Sequence, residues 1–460
     1  MTISRPAPDQ REIDTTPVGP PPLGNKGLPY AFVALCLLLF IPLGVKGMTY
    51  AIIAGAMIVL ATLLFVLGME KFGTCVIWLA MFTAPMTAVV LPGASIVTAA
   101  DFCCVVGFSL LFPIIVRKHL WVPWQFGVGS LVFFTLGMIV SFRVPVPFAS
   151  IDLNLRVTAA TILMPLAFAW WAPRGRKLFW IVAAYPLGQC FNVVYAVLQG
   201  PTLGNGRYKG LTEQPTAFGY ASLLALCVIP FLMVSVQRKY RWMAGPAALI
   251  LIYGIWISGS RASLLVLAIL VVLYPLLERS LKAAYVVAFL GVIGMAMFQR
   301  ILDQNGGSNA LARLFGGSGS GGSDEARIDG LMDAFHVFEK HPIFGAGYEF
   351  DTFLAHNIYM QVLTCVGVVG FVAFMLILWA FAIPLFTGRQ PYRLLAYPAV
   401  AYIVVGPITP NLGSRYVGIM LAVSLIGATI GRMGPDDVLE DDEPPPGPEP
   451  RHSARLRRIT

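Results

Sequence analysis

His356 and Asn357 end the longest internal polar stretch of the chain, residues 299–357, and stand directly before a long apolar run that opens at Ile358. Imidazole titrates near neutral pH, so a histidine at such a boundary is a candidate general base. Asn357 beside it is placed to orient the ring or to bind a sugar hydroxyl. Arg207 lies in Gly206-Arg207-Tyr208-Lys209-Gly210, just ahead of another apolar run. Arg261 sits in Ser258-Gly259-Ser260-Arg261, between two apolar runs, where a guanidinium without a partner would cost a few kcal/mol. Carboxylates are scarce near both, Glu213 being the closest to Arg207, which makes an anionic ligand a candidate partner. The planar guanidinium matches phosphate oxygens in pairs and keeps its charge at any physiological pH. Plainer readings stand beside these: Arg261 snorkels to the interface, Arg207 is a solvated loop charge, and His356 is an interfacial histidine with a satisfied hydrogen bond.

The elements that must hold these residues follow from composition. The chain has 460 residues, of which 57% are hydrophobic and only 12% charged, with a mean hydropathy of +0.75. Such a chain uses lipid as its solvent, and the expected fold class is an all-α polytopic membrane protein. Each span needs about 20 largely apolar residues, because backbone polar groups in hydrocarbon must be satisfied within the segment. Fourteen segments qualify: 28–45, 49–69, 73–91, 97–116, 125–142, 157–172, 178–198, 216–236, 243–258, 262–277, 283–298, 358–386, 394–410 and 415–431. With short segments and a possible re-entrant element at Ser258–Arg261, this means about 12–14 transmembrane helices.

Lys and Arg gather at every second connection, for example Arg117-Lys118, Arg174/Arg176/Lys177 and Arg238/Lys239/Arg241. The positive-inside rule then places both tails in the cytoplasm, and puts 199–215, the Ser258–Arg261 turn, the large loop 299–357 and 407–414 on the opposite, extracytoplasmic face. Residues 1–27 read as a disordered cytoplasmic tail without the apolar core of a signal peptide, 28–431 as the membrane domain, and 432–460 as a second disordered tail. That second tail is acidic, then proline-rich, then basic, and its end suits anionic lipid. The seven cysteines all fall in apolar segments without metal-ligand spacing and read as packing residues. The net charge of +9 orients helices, and no basic stripe with interleaved aromatics points to nucleic acid.

Within the large loop, apolar residues at 328, 331, 332, 335 and 338 recur with a helical period, predicting an amphipathic helix along the membrane surface over Arg327–Glu339. The run 316–323 of Gly and Ser before it suits a flexible segment over a substrate entrance. His341-Pro342-Ile343-Phe344-Gly345-Ala346-Gly347 stops the helix and turns the chain toward His356, with His341 structural. Nucleotide-binding loops, paired-Asp metal motifs and G-x-S-x-G elbows do not occur, which disfavours ATP-driven and nucleotide-sugar chemistry. A transfer outside the cytoplasm then requires a donor that already carries its leaving group, and polyprenyl-diphosphate sugars supply one.

These motifs resemble the O-antigen ligase and polymerase superfamily. Gly259-Ser260-Arg261 with Leu264-Leu265 is similar to one conserved turn; His356-Asn357, nine residues, then Gly367 and Gly370, to a second signature. Arg207 through Pro215, and Arg327 followed by His341–Gly347, complete the order. The resemblance covers about 190–385 and the first 190 residues only as generic spans; twelve spans is the common number there. It implies an architecture similar to the GT-C class, localisation in the bacterial inner (cytoplasmic) membrane, and metal-independent, inverting glycosyl transfer without a cofactor. It further implies an undecaprenyl-diphosphate-linked glycan donor and a glycan, lipid or protein acceptor. Under it, His356 and Arg261 are the catalytic residues, Arg207 and Arg261 hold the diphosphate with Arg327 as a third, and Lys209 and Asn357 also bind substrate. Two other classes remain beside it, a scaffold without catalysis and an anion transporter of the same superfamily. Carriers place ionisable groups near the midplane, and only Asp101, in the fourth predicted span, comes near that.

Overall fold

The computed structural model describes residues 48–91, 94–202, 206–304, 310–314, 321–348, 356–409 and 412–431. Both predicted tails, the predicted span 28–45 and residues 316–320 of the glycine-rich run lie outside these. The chain divides into two compact units, 1–72 and 73–460. In the first, the described backbone is helical from Met48 onward, with a break at Gly68, where φ is 75°. All of the predicted chemistry falls in the second.

The protein is an all-α polytopic membrane protein. Among the described residues, seven helices are long and apolar enough to cross a membrane and five shorter apolar helices accompany them. In chain order these are α1 (Met48–Thr83), α2 (Ala99–Ile115), α3 (Trp124–Ser141), α4 (Pro147–Trp171, with a π turn at Ala159–Leu163), α5 (Gly175–Gln199), α6 (Pro215–Ser235), α7 (Ala244–Ser258), α8 (Arg261–Leu277) and α9 (Leu281–Gln304). There follow α10 (Ala310–Leu314), α11 (Gly321–Lys340), α12 (Ile358–Thr387), α13 (Tyr397–Val405) and α14 (Arg415–Ile430).

Several predicted boundaries are corrected. The span 73–91 ends at Thr83, because Pro85 cannot continue the hydrogen-bond ladder; Val90–Leu91 instead pairs with Ala94–Thr98 in a short antiparallel hairpin. The span 157–172 starts ten residues earlier, at Pro147, since Asp152 and Arg156 neutralise each other across one turn at 2.5 Å. The segment 394–410 is helical only over Tyr397–Val405, after a 3-10 turn at Tyr392–Ala396. The predicted loop 299–357 loses residues to structure: α9 runs on to Gln304 at its start, and α11 begins at Gly321 inside the glycine-rich run.

The core is built on α14, whose residues from Tyr416 to Ile430 are all buried. Glycines allow the close approaches around it: a Cβ at Gly418 would meet the Ala160 carbonyl on α4 at 2.2 Å. Packing of α3 on α12 repeats the device, where a Cβ at Gly129 would meet the Ala373 carbonyl oxygen at 2.7 Å, and ring pairs Phe133–Phe374 and Phe126–Phe381 have centroids 5.8 and 5.7 Å apart. Aromatic pairs at such separations add to the burial of their own area.

The two glycine motifs of the sequence meet on α12. Gly367 has φ 65° and ψ −169°, a conformation open to glycine, and it breaks the helix there. The segment 342–347 docks into the break. Ala346 and Gly347 donate to the carbonyls of Thr364 and Cys365, while Val368 and Val369 donate to Pro342 and Ile343, at 2.7 to 3.3 Å. Four hydrogen bonds thus cross the kink, and the chain that follows α11 is clasped to the helix that His356 precedes. The predicted helix over Arg327–Glu339 forms as part of α11. Ala334 and Phe338 pack against Met360 and Leu363, whereas Ile328, Leu331, Met332 and Phe335 face outward.

Candidate functional site

Arg207, Arg261, Arg327 and His356 meet on one cavity of about 570 Å³, together with two arginines that sequence reasoning missed, Arg313 and Arg415. The cavity opens among helix starts. Thr98 and Ala100 bring the beginning of α2 to it, Pro215–Ala217 that of α6, Ser260–Ser263 that of α8, and Ser414–Tyr416 that of α14, while His356 stands two residues ahead of α12. Helix N-termini carry unsatisfied N–H groups and the positive end of the macrodipole, so four of them lining one space, with five guanidinium groups, build a field for anions. Glu213 is the one carboxylate lining the cavity among the described residues. A volume of this size lies within the range of small-ligand sites.

The Ser258–Arg261 turn organises the cationic wall. Gly259, at φ 64°, ends α7 in the left-handed conformation, and Ser260 starts α8 at once by accepting the Ser263 N–H on its side chain at 3.3 Å. Arg261 is therefore the first residue of α8. Carbonyls exposed by the end of α7 hold two more arginines: Nε of Arg207 donates to Ser258 O and Nη1 of Arg313 to Gly259 O, each at 2.9 Å. Three arginines from distant parts of the chain are thus tied to four consecutive residues. The Arg207 loop has its own anchors, with Tyr208 N donating to Ile257 O at 3.2 Å and Leu211 N to Asn192 Oδ1 at 2.7 Å. A buried side-chain ladder continues inward from Asn192 through Gln189 to Ser222.

Crowding of like charge shows in Arg207. Burial, then Arg313, Arg327 and Arg261, lower its pKa from 12.5 to about 10, so it keeps its charge at neutral pH in a setting that a bound anion would relieve. His356 lies at the edge of the cavity and is largely exposed. Its partial burial and then Arg327 lower its pKa below the ordinary 6.5, which leaves the ring neutral, the form of a base, at pH 7.

On the opposite side, Arg415 pairs with Asp101. Asp101 is itself the third residue of α2 and forms a reciprocal cap with Thr98, accepting from its N–H at 2.9 Å and its hydroxyl at 2.7 Å. That places Asp101 at a helix end beside the cavity wall. Lys209 and Asn357 do not line the cavity. Lys209 contributes its carbonyl to a turn, accepting from the Thr212 hydroxyl at 2.6 Å. Asn357 caps α12, its Oδ1 accepting from Tyr359 N and Met360 N at 3.0 and 3.1 Å. His341, read as structural, is exposed and also outside the cavity.

A signal for one missed arginine was present: Gly413-Ser414-Arg415 repeats the tripeptide Gly259-Ser260-Arg261, and each starts a helix at the cavity. Arg313 carries no comparable mark, since only the folding of α10 back onto the Gly259 carbonyl makes it part of the wall.

No curated protein matches the chain. Residues 246–375 match the family described as O-antigen ligase. The matched stretch runs from α7 into α12 and contains Arg261, Arg313, Arg327 and His356, with Arg207 and Arg415 outside it. Over this stretch, less than a third of its length, the chain is similar to the O-antigen ligase family.

Proposed function

We propose that the protein transfers a glycan from an undecaprenyl-diphosphate-linked donor to an acceptor hydroxyl at the extracytoplasmic face of the bacterial inner membrane, as a ligase or as a polymerase. The observation that carries this reading is the single cavity on which five arginines, four helix N-termini and one neutral histidine converge. Arg207, Arg261 and Arg313, held by one turn, would bind the diphosphate. As the anomeric C–O bond breaks, the electron pair passes to the leaving diphosphate, and fixed cations stabilise the charge that develops there. His356 at the cavity's edge takes the proton of the acceptor hydroxyl as its oxygen attacks the anomeric carbon from the other side. One displacement of this kind inverts configuration. Arg327, beside His356, would help hold the donor and keep the imidazole neutral.

Anion carriage receives less support, because the ionisable groups cluster at one end of the bundle and Asp101, the candidate for a midplane charge, is engaged in a helix cap and with Arg415. The test is mass spectrometry of polyprenyl-diphosphate-linked saccharides from cells carrying the native protein or His356→Ala at matched protein level. Accumulated donor with loss of one mature glycan is the expected result and would name the sugar. Unchanged lipid-linked pools and surface glycans would remove the assignment.

A further inference from the structure

One carboxylate stands among the cations of the cavity. Glu213 lines it two residues ahead of α6, and among the described residues it has no ion-pair partner, although five guanidinium groups line the same space. The backbone around it is fixed. Its own N–H donates to Thr87 Oγ1 at 3.2 Å, Leu211 O accepts from Ala88 N at 3.0 Å, and the buried Thr212 hydroxyl lies 2.6 and 2.9 Å from Lys209 O and Gln214 O. Glu213 itself is exposed, and its charge interacts with Tyr416, which also lines the cavity. Thr87, Gln214 and Thr216, uncharged side chains with hydrogen-bonding atoms, complete this part of the lining. A negative charge here opposes the binding of a diphosphate. It has a use when the ligand carries, besides its phosphates, groups that donate hydrogen bonds. Sugar hydroxyls are such groups: the two oxygens of a carboxylate accept from adjacent hydroxyls together, in hydrogen bonds strengthened by the charge.

We propose that Glu213 is a saccharide-binding residue whose carboxylate accepts hydrogen bonds from two adjacent hydroxyls of the transferred or the accepting sugar. This rests on the reading of the cavity as the site of a diphosphate-linked glycan. The arginines held by the Ser258–Arg261 turn take the phosphates, and the stretch from Glu213 to Thr216, with Thr87, takes the sugar. Glu213 binds and takes no proton; His356 remains the base.

Glu213→Gln removes the charge and keeps the size, so anion binding and sugar binding should part. In the purified full chain in detergent the variant should melt with the native protein and bind inorganic pyrophosphate at least as tightly, since one opposing charge is gone. The sugar is tested with the lipid-linked saccharide that accumulates in His356→Ala cells, the protein being reconstituted into vesicles of those cells' membranes, which also hold the unmodified acceptor. There kcat/KM for transfer should fall about tenfold, as expected for weakened hydrogen bonds to a charged group. A matching fall in binding of that saccharide without acceptor would put the hydroxyls on the donor sugar, and unchanged binding would put them on the acceptor. Transfer by Glu213→Gln at or above the native kcat/KM would make the carboxylate a solvated loop charge and overturn the inference. So would weaker pyrophosphate binding, which would make Glu213 structural. Loss of pyrophosphate binding in Arg261→Ala beside native transfer in Glu213→Gln would overturn the inference and leave the diphosphate cavity standing. Failure of the native protein to bind pyrophosphate would overturn the cavity's reading and this inference together.

Discussion

Gly219→Ala should disable the site through one methyl group that touches no substrate. A Cβ at Gly219, on α6, would lie 2.4 Å from Ser258 Oγ, 2.8 Å from Ser260 Cβ and 3.1 Å from Ser258 Cβ. Ordinary contacts of these atoms need about 3.5 Å, so something must move by about 1 Å. The serine hydroxyl cannot swing aside cheaply, because it donates to Ile255 O at 2.6 Å and accepts from Ser260 N at 3.0 Å. Ser260 Cβ is fixed to the backbone. The turn itself therefore shifts, and with it Arg261 and the carbonyls that hold Arg207 and Arg313. Overpacking of this kind costs about 1–3 kcal/mol, offset by up to about 1 kcal/mol from replacing a helical glycine with alanine. Stability should thus fall by no more than about 3 kcal/mol, while a misplacement of about 1 Å lowers the transfer rate by up to about 100-fold. The assay is the initial rate of glycan transfer from a purified lipid-linked donor in proteoliposomes, with thermal unfolding of the same preparation. Gly245→Ala serves as control, since a Cβ there meets nothing within 4 Å. Native transfer and native stability in Gly219→Ala would show that α6 does not set the position of the turn and would refute the reasoning.

The pH dependence of kcat/KM should show an acid limb below pH 6.5, since burial and then Arg327 lower the His356 pKa. Arg327→Gln should move that limb upward yet leave it under 6.5, because burial remains; a limb above 6.5 in the native protein would count against His356 as the base. By the same shift the unfolded chain takes up a proton here before the folded one does, so the contribution of His356 to stability falls as pH drops below about 6.5. Asp101→Asn keeps an acceptor for the Thr98 cap but removes the charge facing Arg415, and should lower stability by about 1–2 kcal/mol in thermal or denaturant unfolding. An unchanged midpoint would mean that Arg415 is equally well held without Asp101.

What was legible in the sequence follows from which forces act locally. The spans could be read because lipid demands long apolar runs, and every described helix of the membrane core corresponds to one of them. Arg207, Arg261 and Arg327 could be read because a cation next to an apolar run is costly enough to require a reason. Helix ends were less legible, since they depend on single residues: Pro85 stops one helix early, and the Asp152–Arg156 pair lets another begin ten residues sooner. Asn357 was read for chemistry beside His356, yet its carbonyl oxygen is spent on two backbone N–H groups at the start of α12.

The rest of the site was hidden because it is made by backbone meeting backbone at long sequence separation. Gly367 looks like one more glycine in an apolar run, and His341–Gly347 like a turn. Only their docking shows that each supplies the hydrogen bonds the other lacks. Their fit is close on both sides: a Cβ at Gly345 would meet the Val366 nitrogen at 2.4 Å, and one at Gly367 the Ile343 carbonyl oxygen at 2.3 Å. The clasp ties the segment that follows α11, the helix of Arg327, to the helix that begins just after His356, so two residues of the cavity lining depend on one contact away from either. The Ser258–Arg261 turn does the same for Arg207, Arg261 and Arg313. Cationic groups that repel one another cannot assemble a site by their own attraction; uncharged contacts have to impose it, and short motifs of glycine and serine are where this chain does so.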